Sequence, residues 1–302
     1  MLLANRFTYI HEPKTGGSFV TYVLTQLHGH LADVRPLRFL QPTLRQRLPT
    51  VSFYLDRLGR AASPVKGESE RYGTLYRWND HGTCSEIPRP YRSRQILATV
   101  RNPFETYASE YLFGWWKRPE YLSHYHRVVK DFPRRYPSFP DLSFTQYLEM
   151  LHEAWALPGS RDFYEGGGIG YLTERFIRFY FRTPWTLRGP DSRVSSVTRR
   201  LGREYVASGD CVGDMFPVRF LSTTRLNEEL QKFLLEMAYD PAEVEFVRSL
   251  EHVLPAGGAE IRFAERAASH DWPSLYTPEL REIIRRKDEL IFALFTEFDV
   301  PL

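Results

Sequence analysis

Residues 10–19 read IHEPKTGGSF and follow directly from the apolar run Phe7-Thr8-Tyr9-Ile10, which reads as a buried strand. A tight turn would need one glycine. Here a lysine, a glycine pair and two hydroxyls come first, and then Phe19, Val20, Val23, Leu24 and Leu27 recur at helical spacing, with Gly29 as the stop. A strand, a glycine turn and a helix N-terminus make an anion site. The first helical N–H groups have no internal partner, and the macrodipole adds partial positive charge there. Gly16 and Gly17 let the backbone approach an oxyanion, Lys14 adds a full charge, and Thr15 and Ser18 add hydroxyl donors. Taken alone, the stretch is also compatible with a plain strand–helix turn and a solvated lysine. The phosphate loop of nucleotide hydrolases is G-x-x-x-x-G-K-[ST]. In this chain the lysine precedes the glycines and no GKS or GKT occurs, which argues against an ordinary ATP or GTP site.

The second informative stretch is VRNPFETYASEY, residues 100–111, which follows the near-continuous apolar run Gln95–Val100. Such a run suits a strand covered on both faces, as in a parallel sheet. Asn102 reads as an N-cap, Pro103 as the first helical residue and Glu105 as the closing member of a capping box, so a helix is expected from Pro103 to about Trp116. Arg101 leaves the strand just before that helix, and Ser109 lies on it. The helix rises about 9 Å from Pro103 to Ser109, a span a bent arginine can cover, so the guanidinium and the hydroxyl could share one phosphate. A structural ion pair for Arg101 and a surface position for Ser109 are the alternative.

Together the two stretches are more specific than either. IHEPKTGGSF resembles the 5′-phosphosulfate loop of sulfotransferases that use 3′-phosphoadenosine-5′-phosphosulfate (PAPS), and VRNPFETYASEY resembles their 3′-phosphate motif. The likeness is to the His-x-Pro-Lys-Thr-Gly-Gly-[Thr/Ser] branch, which includes many carbohydrate sulfotransferases. It covers about two dozen residues, and LYTPELREIIRRKDELIFALF near the C-terminus is more weakly similar to bacterial members. Glu12 departs from the pattern, since an apolar residue is commoner there. The resemblance implies an α/β fold: a P-loop-like three-layer sandwich with a central, mainly parallel sheet flanked by helices, in one domain over residues 1–302. It also implies that Lys14 contacts the 5′-phosphosulfate and its bridging oxygen. Backbone N–H groups of Thr15, Gly16, Gly17, Ser18 and Phe19, with the Thr15 and Ser18 hydroxyls, would hold the 5′-phosphate. Arg101 and Ser109 would hold the 3′-phosphate.

Sulfuryl transfer to a hydroxyl requires removal of that hydroxyl's proton, and is otherwise mostly positioning and electrostatics. In the resembling branch the base is a His or Glu between the two motifs. RWNDHGTCSEI, residues 77–87, falls there. His81 is the candidate base, with Asp80 as an orienting group or rival and Glu86 as a second rival. His11 matches the loop motif as a packing or supporting residue. His28 and His30 flank the helix stop, and His124 and His126 lie in another segment. Residues 115–136, WWKRPEYLSHYHRVVKDFPRRY, mix aromatic and basic side chains and read either as an acceptor wall or as a packed aromatic face with a solvated basic side. Residues 165–176, EGGGIGYLTERF, read as a flexible loop or a lid, with Arg175 a possible aid to the nucleotide.

The remaining composition sets bounds. The chain has 302 residues, 42% hydrophobic and 15% aromatic, enough for a packed core. Its 40 basic and 37 acidic residues leave a net charge of +3, too balanced to imply nucleic-acid binding. No apolar run approaches the ~20 residues of a membrane helix, and the N-terminus lacks a signal-peptide pattern. Cys84 and Cys211 are the only cysteines, too few for a disulfide scaffold or a zinc site. The expectation is a cytoplasmic enzyme that needs no metal and has PAPS as co-substrate, a small-molecule or glycan acceptor, and neither nucleic acid nor membrane as partner. Two readings stand beside it: a phosphotransferase with a divergent phosphate loop, and a nucleotide- or glycan-binding protein without chemistry. Further helices are expected over about 144–156, 171–181 and 226–237, a late strand over 218–221, and one long last helix from Thr277. Residues 31–93 show no strong element and are expected to form loops and short helices.

Overall fold

The computed structural model describes residues 1–29, 31–34, 48–58, 71–156, 161–164, 168–182, 201–250 and 271–299. In chain order the principal elements are β1 (Leu2–Leu3), β2 (Phe7–Ile10), α1 (Gly17–His28), β3 (Leu31–Val34), α2 (Pro49–Leu58), β4 (Leu75–Trp78), β5 (Gln95–Val100), α3 (Pro103–Phe113), α4 (Pro119–Val128), α5 (Phe144–Trp155), α6 (Tyr171–Tyr180), β6 (Val218–Ser222), α7 (Leu226–Glu236), α8 (Pro278–Lys287) and α9 (Glu289–Leu294). The chain is α/β and divides into two compact units, Met1–Arg101 with Met215–Pro255 and Asn102–Asp214 with Ala256–Leu302.

The first unit holds a six-stranded sheet in the order β3-β4-β1-β2-β5-β6. The sheet is mixed rather than mainly parallel. β2 pairs parallel with β5, β5 with β6 and β3 with β4, but β1 runs antiparallel to both β2 and β4. The cause is local. Ala4 N–H bonds Phe7 C=O at 3.0 Å, so the chain reverses between β1 and β2, and a short reversal can join only antiparallel strands. The described residues between 31 and 93 hold more regular structure than the sequence suggests, since they supply β3, α2 and β4. Phe53 of α2, 1% exposed, packs edge-on to Trp78 of β4 at 5.7 Å and to Tyr91 at 5.6 Å. The apolar stripes of α1 and α7 pack into one core with the sheet: Val20, Val23 and Leu24, with Leu230, Phe233 and Leu234, meet Phe7, Tyr9, Leu97 and Leu221.

This topology places the two diagnostic stretches together. β2 and β5 are adjacent and parallel, with Phe7 opposite Gln95 and Ile10 opposite Ala98, so the residues after each strand leave from the same edge of the sheet. From β2 the chain goes on to β3, on one side in the strand order. From β5 it goes on to β6, on the other. Such a reversal of direction, at the carboxyl ends of adjacent parallel strands, is where open α/β sheets bind ligands.

The second unit is helical. Asn102 caps α3, its side chain accepting from Phe104 N–H at 2.9 Å with Pro103 in the first turn. The helix stops at Phe113, short of Trp116, because Gly114 takes a left-handed φ of 68° that closes it. The last helix is also shorter than expected. α8 and α9 are separated at Asp288, whose buried carboxylate accepts from Tyr107 O–H and Thr173 N–H, both at 2.8 Å. A Cβ on Gly170 would lie 2.3 Å from the same carboxylate, so that close approach requires glycine. Arg175 and Glu110, 3% and 1% exposed, form a buried ion pair in this unit.

The candidate anion loop and its neighbours

The loop after β2 is held from beneath by a chain of buried hydroxyls. Thr15 Oγ1 donates to Glu12 C=O at 3.0 Å, and its lone pairs face Thr99 Oγ1 of β5 at 3.0 Å. Thr99 in turn meets the Tyr9 hydroxyl at 2.8 Å. Because each hydroxyl has one proton, these bonds run in one direction, from Tyr9 to Thr99 to Thr15 to the Glu12 carbonyl. Thr15 is 3% exposed, so its hydroxyl faces the sheet, and what it offers a ligand is its backbone N–H. Glu12, the departure from the sulfotransferase-like pattern, is 5% exposed. Its charge adds to the rise of the Tyr9 phenol's pKa, which burial dominates.

Above that anchor the backbone is shaped for close approach. Lys14 sits at φ 65° and Gly16 at φ 91°. Left-handed geometry costs a residue with a Cβ roughly 1–2 kcal/mol, and at Gly16 a Cβ would also meet Leu226 Cδ2 at 2.9 Å. Gly16 is the N-cap of α1 and contributes no side-chain cap. Phe19 N–H donates to the Gly16 carbonyl at 3.1 Å, which takes it out of the expected phosphate-binding set, and the Gly17 and Ser18 N–H groups are the ones left for an outside acceptor. Ser18, next in the turn, is exposed.

The second glycine has a different cause. A Cβ on Gly17 would fall 1.9 Å from His11 Cδ2 and 2.0 Å from Nε2, so the His11 ring occupies the space a side chain would need. His11 also stacks on Tyr9 at 6.2 Å and meets His81 edge-on at 5.4 Å. Burial, reinforced by nearby positive charges that include His81 and Lys14, lowers the His11 pKa to about 3 and keeps the ring neutral. His81 Nδ1 lies 3.3 Å from the His11 carbonyl oxygen. A carbonyl only accepts, so Nδ1 carries the proton, and in neutral His81 Nε2 is the ring nitrogen without one. Of the rivals, Glu86 is engaged elsewhere and Asp80 is exposed. Glu86 is buried and receives Thr83 N–H at 2.7 Å and Asn79 Nδ2 at 3.3 Å in a capping box. Asp80 lies 4.0 Å from Arg77.

Arg101 reaches this loop from the end of β5, its Nη1 lying 3.5 Å from the Lys14 carbonyl. The structure therefore brings Lys14, Thr15, Gly16, Gly17, Ser18, Phe19, His11, His81 and Arg101 to one end of the β2–β5 pair. Ser109 is half-buried on α3 of the second unit.

Other candidates serve the fold. His28 bridges Gly73 C=O at 2.8 Å and the Tyr239 hydroxyl at 2.7 Å, and burial lowers its pKa. His124 stacks on Trp155 at 4.1 Å, and His126 sits edge-on to Phe132 at 5.2 Å. His30 lies outside the described residues. Arg175 is committed to Glu110 in the interior, which removes it from nucleotide contact. In the 115–136 segment Trp116, Tyr125, Phe132 and Tyr136 are buried and build core, while Trp115 and Tyr121 are half-buried and pack edge-on to one another and to Trp155. Of residues 165–176, 165–167 lie outside the description, and α6 begins at Tyr171, so a lid extending past that point is excluded. Among the described residues no group of three or more His, Cys, Asp or Glu is placed to hold a metal ion, and no helix is long and apolar enough to cross a membrane. No family model matches the chain, and no curated protein or solved structure is detectably similar to it.

Proposed function

We propose that the protein is a PAPS-dependent sulfotransferase that moves a sulfuryl group to a hydroxyl of a carbohydrate or small-molecule acceptor. The observation that carries this reading is the convergence of Arg101 with the Lys14 loop at a strand-order reversal, beside a histidine whose tautomer suits a base. The donor set fits a doubly phosphorylated nucleotide: uncapped helix N–H groups, an exposed serine hydroxyl and two cations. The loop, α1 and the parallel β2–β5–β6 segment also accord with a P-loop-like sandwich. Two buried free cysteines accord with a reducing compartment, the cytoplasm.

In the proposed reaction the acceptor oxygen attacks sulfur in line, and the bond from sulfur to the 5′-phosphate oxygen breaks as the new S–O bond forms. His81 Nε2 takes the acceptor's proton. Lys14 neutralises charge developing on the departing phosphate oxygen, while the first N–H groups of α1 and the Ser18 hydroxyl hold the 5′-phosphate. Arg101 holds the 3′-phosphate. Adenosine 3′,5′-bisphosphate leaves.

The test is release of the bisphosphate from PAPS in the presence of a panel of glycan and small-molecule hydroxyls. Acceptor-dependent release by the native protein is expected. Magnesium-dependent turnover of ATP, with none of PAPS, would assign the loop to phosphoryl transfer instead.

A further inference from the structure

His81 stands in a tight turn between β4 and the single helical turn Cys84–Glu86. Gly82 N–H donates to the Asn79 carbonyl at 2.8 Å and closes the turn, with Asp80 and His81 as its two central residues. Asn79 opens it at a left-handed φ of 50°, a conformation that asparagine adopts more readily than most residues with a Cβ. A Cβ on Gly82 would fall 2.9 Å from Asn79 Nδ2, so the asparagine side chain lies against the far end of the turn. One carboxylate joins the two flanks. Glu86, 9% exposed, accepts from Asn79 Nδ2 on Oε1 at 3.3 Å and from Thr83 N–H on Oε2 at 2.7 Å. The residue that opens the turn is thereby tied to the residue that follows it, and His81 lies between them.

We infer that Glu86 is the positioning residue for His81: its carboxylate clamps the turn and so keeps the imidazole against the His11 carbonyl. The inference rests on the proposed role of His81 as the base. The bond from His81 Nδ1 to the His11 carbonyl is 3.3 Å long, at the outer end of the usual range, so a small shift of the turn breaks it. Without that bond the neutral ring is free to carry its proton on Nε2, and a nitrogen that already bears a proton takes no other. Glu86 acts through His81 in this account, by hydrogen-bond geometry and not by its charge. That distinction separates it from a base. A glutamine at position 86 can accept Thr83 N–H through its carbonyl oxygen, and its amide can donate to Asn79 Oδ1 once the Asn79 amide turns over. Both ties then survive, whereas the capacity to remove a proton does not.

The experiment compares the full native chain with Glu86→Ala, Glu86→Gln and Gly82→Ala. Two readouts are taken: turnover of PAPS with a hydroxyl acceptor, and nitrogen NMR of histidine-labelled protein, which distinguishes the two imidazole tautomers. His81→Ala identifies the His81 signal, and circular dichroism verifies that each variant is folded. Native His81 is expected as the Nδ1–H tautomer. Glu86→Ala should lose that signature and lower kcat by about tenfold or more, with the KM for PAPS unchanged. Glu86→Gln should keep the signature and most of the turnover. Gly82→Ala, whose methyl displaces the Asn79 amide, should lose both, and it carries the test should Glu86→Ala not fold. A Glu86→Gln variant as inactive as Glu86→Ala with the tautomer intact would make Glu86 a base and overturn the inference. So would a tautomer that persists in Glu86→Ala and Gly82→Ala. A native protein that turns over no PAPS contradicts the sulfotransferase reading, while the spectra still decide the clamp: a signature lost in Glu86→Ala and kept in Glu86→Gln supports it, and one unchanged in both overturns it.

Discussion

At the residue scale, His81 and Gly17 carry the sharpest expectations, and both depend on His11. The carbonyl of His11 fixes the His81 tautomer, and its ring excludes a side chain at position 17. His81→Ala should leave bisphosphate affinity unchanged and lower turnover by about 10²–10⁴, the usual contribution of a positioned base. Steady-state kinetics beside a binding titration checks this, and retained turnover would move proton removal to Asp80 or Glu86. Gly17→Ala should destabilise the fold by about 1–3 kcal/mol through overpacking. His11→Ala in the same chain should recover most of that loss, because it empties the space the new methyl enters. Denaturant unfolding of both single variants and the double variant measures the coupling directly. Simple additivity of the two effects would contradict the packing account.

Two elements owe their form to buried polar groups. The loop after β2 is tied to β5 by the Tyr9–Thr99–Thr15 hydroxyls, which keep its base fixed. The junction of α8 and α9 is set by Asp288. Burial raises this carboxyl from 3.8 to about 6, against the opposing pull of Tyr107, Thr173 and Arg175. A raised folded-state value means that the native state holds a proton the unfolded chain has released. The associated stability is complete below about pH 3.8 and is lost as pH rises through about 6. Over that window the group costs the fold about 3 kcal/mol. Asp288→Asn cannot titrate, so its stability relative to the native protein should rise by about that amount between pH 4 and pH 7. Denaturant unfolding at a series of pH values tests this, and a pH-independent difference would contradict it.

On the scale of the whole molecule, the sequence exposed what depends on local chemistry and hid what depends on distant partners. Periodicity and caps located β2, α1, β5, α3 and α7, because each carries its own apolar pattern and stop residue. β1 was invisible because two residues hold no pattern, and the mixed sheet follows from that short strand. β3 and β4 have four residues each and draw their order from packing such as Phe53 on Trp78. The break at Asp288 arises from Tyr107 and Thr173, more than a hundred residues away. In the candidate site, a glycine loop after one strand and an arginine at the end of another were legible from motif spacing, and the two strands are neighbours. The inward turn of the Thr15 hydroxyl, the clash that explains Gly17 and the burial of Arg175 were not, since each depends on a residue brought near only by folding. The account's central claim is that the Lys14 loop and Arg101 grip one doubly phosphorylated adenosine. Its most direct test is metal-free calorimetry with adenosine 3′,5′-bisphosphate on the native protein, Lys14→Ala and Arg101→Ala. Saturable binding is expected, weakened in each variant by ~1.5–3 kcal/mol for each charged hydrogen bond removed. Equal affinity in all three proteins, or no binding by any, would contradict it.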